Sequence, residues 1–459
     1  MSTTRPLSID DAPWSRFLLR ALLSCAGGMM LDGFIFGTMA VTLSTASADL
    51  AVSAWWMGLI SAGALIGIFI GGPISGWAAD RFGRQKLFTC NLLVFLATCA
   101  AQLGANSAES LLAARIAIGV AIGVEYAVST TLLAEFSPRT SRGAMLSSLQ
   151  AFWLIGYAIG YFAAYALQHA GVPWRWILAS SAVVALLVLV SRLGTPESPR
   201  WLASKGELQK ARAIVKRHYG AEYDVHDLTL EKGAPVKYSV LFGPRFRTRT
   251  AFATIFWTCQ ITCAFALLLF LPMIFTALDI AGGIVADVVI NAVTVLGGAI
   301  GVYLCWRLPR RPLVIWSFVL MAIFMLIMAG YQFVPGWFTL AAFALFMLTI
   351  NAASNLEFVY PAEMFPTEVR SSAVGVAAAS ARTGSVISAF ALPSLLNSLG
   401  AAGTLLILAG VCACGALASA LWAPETRNLS LLESSAVTSG TPAALAATPL
   451  SATADDGTA

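Results

Sequence analysis

A chain of 459 residues that is 58% hydrophobic and only 11% charged cannot bury all its apolar side chains in a water-soluble core; ordinary soluble domains carry about 25% charged residues. That composition excludes a soluble enzyme. The formal charge of +5 is read as membrane sidedness, and no nucleic-acid partner is expected.

A sliding window of about 19 residues predicts twelve apolar segments long enough to cross a bilayer. They lie near 17–43, 55–79, 87–104, 110–134, 144–168, 174–194, 250–277, 282–306, 312–333, 337–361, 371–396 and 401–423. A polar stretch between the sixth and seventh divides the chain into an amino-terminal six-helix bundle (1–194), a cytoplasmic central loop with short helices (195–249) and a carboxy-terminal six-helix bundle (250–433). Residues 434–459, rich in Ser, Ala, Thr and Pro, read as a disordered cytoplasmic tail. Of the 28 Lys and Arg, 25 fall in the amino-terminal segment, the even-to-odd loops, the central loop or the start of the tail. The positive-inside rule places those segments and both termini in the cytoplasm. Arg175 at the outer start of span 6, and Arg115 and Arg382 inside spans, stand apart.

The eight cysteines all fall in apolar segments without a chelating pattern, and the three histidines lie near span ends or in the central loop, so no metal, disulfide or cofactor is expected. A secretory signal peptide is not expected either, because the first apolar stretch is too long and carries Asp32.

The chain repeats itself. Ala134-Glu135-Phe136-Ser137-Pro138, running on to Arg142, returns as Ala362-Glu363-Met364-Phe365-Pro366, running on to Arg370. Pro196-Glu197 returns as Pro424-Glu425, and the offset, 134 to 362 and 196 to 424, is 228 residues in both cases. Arg81 and Arg84 have counterparts in Arg307 and Arg310. An even number of spans per repeat leaves both halves in the same orientation. Glu135, Glu197, Glu363 and Glu425 thus gather at the cytoplasmic ends of spans beside Arg81, Arg142, Arg307 and Arg370, where alternating signs suit ion pairs between the halves.

Between spans 2 and 3 stands Gly76-Trp77-Ala78-Ala79-Asp80-Arg81-Phe82-Gly83-Arg84-Gln85-Lys86. This pattern resembles the loop between spans 2 and 3 of major facilitator superfamily transporters. The resemblance implies an all-α membrane protein of twelve transmembrane helices in two six-helix parallel repeats. It also implies a cytoplasmic gate built from Asp80, Arg81, Arg84, Glu135, Arg142, Glu197, Arg307, Glu363, Arg370 and Glu425. In the second half Trp306 and Pro309 stand where Asp and Gly belong. The runs Pro196-Glu197-Ser198-Pro199-Arg200-Trp201-Leu202 and Tyr360 to Gly375, followed by Ala381-Arg382-Thr383-Gly384, look like the organic-ion, aromatic-acid and nicotinate branch of the sugar-porter-like group.

Ionisable groups at membrane depth mark function, because each is costly unless it faces a partner or a watery cavity. At about 1.5 Å per residue, Asp32, Glu125 and Arg382 fall near the middle of spans 1, 4 and 11. Asp32 and Arg115 resemble the proton-coupling pair of proton-driven relatives, although Ile35 stands where the aromatic-acid branch has a second Asp, which raises the role of Glu125. Glu125 is set to face the cavity while Gly119 and Gly123 pack against a neighbouring helix. Substrate contacts are expected from Arg382, Gln150, Trp153, Tyr157, Gln260, Asn351 and Asn355. The expected protein is a monomeric, proton-coupled symporter in a bacterial inner membrane that moves a small organic acid, such as an aromatic acid or nicotinate, by alternating access. A sugar or polyol symporter is the alternative, and a non-translocating sensor a third reading.

Overall fold

The structure, a computed structural model, describes residues 7–138, 141–224, 238–270, 273–274, 284–365 and 367–426. The residues assigned to the tail, 434–459, lie outside those described.

Nine of the predicted spans are single runs of helix: Arg16–Asp49, Ala54–Phe82, Arg84–Leu103, Ala108–Phe136 and Arg142–His169 in the first half, then Arg247–Leu269, Ile284–Arg307, Arg310–Ala329 and Gly336–Met364. Span 6, Trp174–Arg192, consists of two segments, Trp174–Ala179 and Ser181–Arg192. Spans 11 and 12 form one helix of 56 residues, Thr367–Trp422. At 1.5 Å per residue that is about 84 Å, far more than the roughly 30 Å of a hydrocarbon core. The chain must therefore turn back, and it does so at Gly400, whose φ of 70° and ψ of −178° a side-chain-bearing residue rarely adopts.

Local chemistry sets the helix starts. Ser15, Ser53 and Ser107 each turn a hydroxyl onto a backbone N–H of the first turn. Spans 3 and 9 have no such cap, since Gly83 and Pro309 precede them. Each borrows a carboxylate instead. Glu197 accepts from Arg84 N (3.0 Å) and Gln85 N (3.1 Å), and Glu425 accepts from Arg310 N (2.9 Å) and Arg311 N (3.1 Å). A negative charge there complements the positive end of the helix dipole.

Packing within each half uses glycine to bring backbones together. Span 1 lies along span 5 because Gly33 faces the Trp153 carbonyl and Gly156 faces the Met30 carbonyl, leaving no room for a Cβ at either. Span 4 lies along span 2 through Gly119 and Gly123, which meet the carbonyls of Ala64 and Ile68. In the second half span 8 packs on span 10, and spans 7 and 9 pack on the Thr367–Trp422 helix. The halves meet chiefly through span 2 against span 11, span 5 against span 8 and span 1 against span 7.

Those meetings gather at the end of the bundle away from the basic loops. Gly58 abuts the Phe390 carbonyl, Trp55 sits edge-on to Phe390 (5.9 Å), Phe36 meets Phe265 (5.7 Å) and the Tyr157 hydroxyl donates to Leu268 O at 2.5 Å. At the other end of spans 2 and 11, a Cβ at Gly72 or Gly375 would meet nothing within 4 Å. Among the described residues, these contacts between the halves close the bundle at the end away from the basic loops.

A small module sits at the basic end. Leu7–Ser8 pairs as a parallel strand with Tyr223–Asp224, an exception to the all-helical plan. Helices Pro199–Ser204 and Leu208–His218 cover Ile9, Ala12, Leu202, Ala211, Val215 and Tyr223. Phe17 of span 1 packs on His218 (4.4 Å), and the Tyr219 hydroxyl donates to Phe136 O (2.7 Å), tying the module to spans 1 and 4.

Candidate substrate and proton site

Asp32 and Glu125 each lie 17 positions from the same end of the bundle, marked by Asp49 and Ala108, so both sit about 25 Å along their helices. Both are wholly buried. Their surroundings differ. Glu125 receives two prongs of Arg192, one from Nη1 at 3.0 Å and a close contact from Nη2, together with Asn91 Nδ2 at 3.3 Å and the Ser129 hydroxyl. Arg192 is equally buried, donates to Phe88 O (2.5 Å) and lays its guanidinium over the Phe88 ring at 3.5 Å. Gly28 makes the cluster possible, because a Cβ there would overlap both Glu125 Oε1 and Arg192 Nη2. Asp32, one helical turn beyond Gly28 on the same face, has no hydrogen-bond partner on either oxygen. The charges in electrostatic range of it are Glu125, Arg192 and Arg382.

Arg115 does not join them. It lies ten positions nearer the closed end than Glu125, about 15 Å along span 4. There it is wholly buried, with Nε, Nη1 and Nη2 all without hydrogen-bond partners. The pairing of Asp32 with Arg115 expected from sequence is not formed. The cation that sequence reasoning missed is Arg192, counted there among the loop charges because it ends an apolar run. One signal was available: a mid-span glutamate requires a cation, and Arg192 lies inside the predicted 174–194 segment. Nor does Glu125 open onto a cavity, since its carboxylate is enclosed by spans 1, 3 and 6.

Arg382 bridges the halves. Its Cζ stands 5.1 Å from the ring centroid of Tyr126 on span 4. Glu357 of span 10, also buried, is in electrostatic range of the same guanidinium. The neutral groups expected from the sequence have contacts of their own. Trp153 is stacked on Tyr157 (6.0 Å, 17°) and leaves Nε1 without a partner. Gln260 gives Nε2 to Ile350 O (3.4 Å) and leaves Oε1 unsatisfied. Asn351 is turned back on its own helix, donating to Met347 O (2.7 Å), and Asn355 spans to Gly298 O (3.1 Å), so both amides hold helices. Gln150 is half-buried.

Two ion pairs at the basic end join residues of the same half. Arg84 meets Glu135 (3.5 Å), and Arg310 meets Glu363 (3.2 Å). Arg142 donates to Ser137 O (3.0 Å), Arg81 lies over Phe82 and Arg307 over Tyr303. Glu197 and Glu425 cap helices. The side chains of Asp80 and Arg370 are outside those described. In this conformation, then, the pairs at Glu135 and Glu363 join spans of one half, whereas the sequence reading placed such pairs between halves.

A twelve-helix bundle with mid-membrane charges and interlocked repeats defines a multi-pass membrane transporter, not an enzyme. Residues 26–437 match the family model described as Sugar (and other) transporter, and the chain belongs to that family. It is 37% identical to the inner membrane metabolite transport protein YgcS of Escherichia coli over 94% of this chain and 96% of that one. It is 28% identical to the arabinose-proton symporter of Bacillus subtilis, covering 90% and 93%. Among solved structures, the inward-open xylose transporter XylE of E. coli superimposes with a TM-score of 0.78 at 21% identity, covering 92% of this chain and all of that one. The family and these relatives do not support the narrower organic-acid and nicotinate branch expected from the motifs; they are sugar and metabolite transporters.

Proposed function

We propose that the protein is a proton-coupled symporter of a small neutral metabolite, a sugar or polyol, working by alternating access. The observation that carries this reading is a count of charge. Three buried acids, Asp32, Glu125 and Glu357, lie with two arginines, Arg192 and Arg382, while the buried Arg115 stands about 15 Å nearer the closed end along span 4 and pairs with none of them. One acid is left over, and a proton on it makes the site neutral. A carboxylate substrate would add a second excess negative charge, at about 2.5–3.5 kcal/mol for a charge at the bilayer centre. A hydroxylated substrate adds none, and its hydroxyls both donate and accept, matching the open acceptor at Gln260 Oε1 and the open donor at Trp153 Nε1. Relatives such as the arabinose-proton symporter of Bacillus subtilis support the same substrate class. With the basic end placed in the cytoplasm, the conformation is inward-facing.

Asp32 is the proton carrier in this reading, since a buried carboxylate without a donor is expensive and a proton removes the cost. The test is uptake of labelled D-xylose, L-arabinose, inositol and nicotinate into proteoliposomes, with and without an inward-directed proton gradient. Gradient-driven accumulation of one of the neutral compounds, lost in Asp32→Asn while exchange survives, is expected. Accumulation of nicotinate alone would overturn the neutral-substrate reading and restore the organic acid.

A further inference from the structure

The cluster around Glu125 is larger than a helix-packing contact requires. It draws on spans 1, 3, 4 and 6 at once, and each member is buried: Gly28 and Cys25 from span 1, Asn91 and Phe88 from span 3, Glu125 and Ser129 from span 4, Arg192 from span 6. Arg192 satisfies both oxygens of Glu125, and Asn91 and Ser129 add a donor to each. A carboxylate with four donors is stabilised in its charged form, and one with none is not. The acid with none is Asp32, four residues along the same face of span 1 as Gly28, where the pair reaches that helix. Two acids at one depth thus share the influence of one buried guanidinium, which gives hydrogen bonds to both oxygens of Glu125 and to Phe88 O and none to Asp32.

We propose that Arg192 is the positioning residue of proton coupling: by committing itself to Glu125 it keeps that carboxylate charged and leaves Asp32 as the acid that takes the transported proton. This rests on the reading of Asp32 as the proton carrier. The charged and titratable groups in electrostatic range of Asp32 are Glu125 and the Tyr126 phenol from span 4, Arg192 from span 6 and Arg382 from span 11. Those facing the pair are Asn91, Ser129 and the Cys25 thiol. Arg192 touches no substrate in this scheme; it acts by deciding which neighbour titrates. Gly28 has the same purpose in steric form, since a side chain there would drive the guanidinium off Glu125.

The test needs no substrate. Full-length protein in liposomes is titrated with acid while the infrared carbonyl band of protonated carboxyls is followed. In wild-type protein, Asp32→Asn should abolish one component and Glu125→Gln should leave it. Arg192→Gln should add a component that vanishes when Glu125→Gln is combined with it, and Arg192→Lys should resemble wild type. Should Arg192→Gln fail to fold, the double variant Glu125→Gln/Arg192→Gln, which removes both charges together, decides the matter: it should keep the Asp32 component. Loss of that component in the folded double variant, or a wild-type component that disappears in Glu125→Gln, overturns the role of Arg192. A component untouched by Asp32→Asn, with the Arg192→Gln gain still present, overturns the reading of Asp32 alone.

Discussion

Arg382 of span 11 lies over the ring of Tyr126 on span 4, with Cζ 5.1 Å from the centroid, and so links the two halves at the depth of the buried acids. A cation over an aromatic face is worth about 0.5–2 kcal/mol, more when dry. Replacing Tyr126 by Leu should therefore weaken the closed-end arrangement by roughly two- to thirtyfold. Tyr126→Phe, which keeps the ring and loses the phenol, should cost less. Spin-label distances between the basic ends of spans 2 and 11 measure the shift, and an unchanged distribution in Tyr126→Leu would mean the contact is incidental.

At the closed end the decisive bond is that from Tyr157 to Leu268 O, at 2.5 Å between spans 5 and 7. Tyr157→Phe removes the donor without a cavity, for a loss of about 0.5–1.5 kcal/mol. The population open at that end should rise roughly two- to tenfold. A cysteine placed beside Phe265 should then react faster with a membrane-impermeant reagent added outside, and equal reaction rates would exclude the bond as a latch.

Glu197 and Glu425 are expected to act as stability residues in each half, because each supplies the cap that Gly83 or Pro309 cannot. Alanine at either position should cost about 0.5–2 kcal/mol, lowering the melting temperature in detergent. Glutamine, which still accepts a hydrogen bond but loses the charge, should recover part of that loss. A melting temperature unmoved by Glu197→Ala would show that water replaces the cap.

The module at the basic end carries its own pH dependence. Burial, then the charges of Arg217 and Arg20, hold the His218 imidazole below its usual 6.5. The unfolded segment therefore binds a proton more readily than the folded one, so the module's stability is complete above about pH 6.5 and falls as pH drops through that value. Proteolysis near Leu7 should accelerate on acidification, and His218→Phe, which keeps a ring against Phe17, should flatten the profile. Identical profiles in both proteins would remove His218 from the explanation.

Much of this was legible in the residues themselves. The 228-residue offset that links Glu197 to Glu425 and Glu135 to Glu363 reappears as matching hydrogen bonds and ion pairs, since the same local sequence meets the same helix ends twice. Apolar runs placed the spans, including the break near 396–401 where Gly400 turns the chain. The partner of Glu125 was not legible. Periodicity says which face a residue occupies, but only the packing of span 6 against spans 3 and 4 brings Arg192 to it. The direction of the charged pairs at the basic end escaped for another reason: one sequence serves both open and closed arrangements, and charge alone does not say which is populated.

Leu7 meets Tyr223 across the whole of the amino-terminal half. During synthesis the segment before span 1 leaves the ribosome early, yet its place does not exist until six helices have been threaded and residue 223 has followed them. The half is then stitched shut by its oldest and newest residues together. Pairing of Leu7–Ser8 thus acts as a completion mark, formed only on a bundle whose six helices have all been delivered.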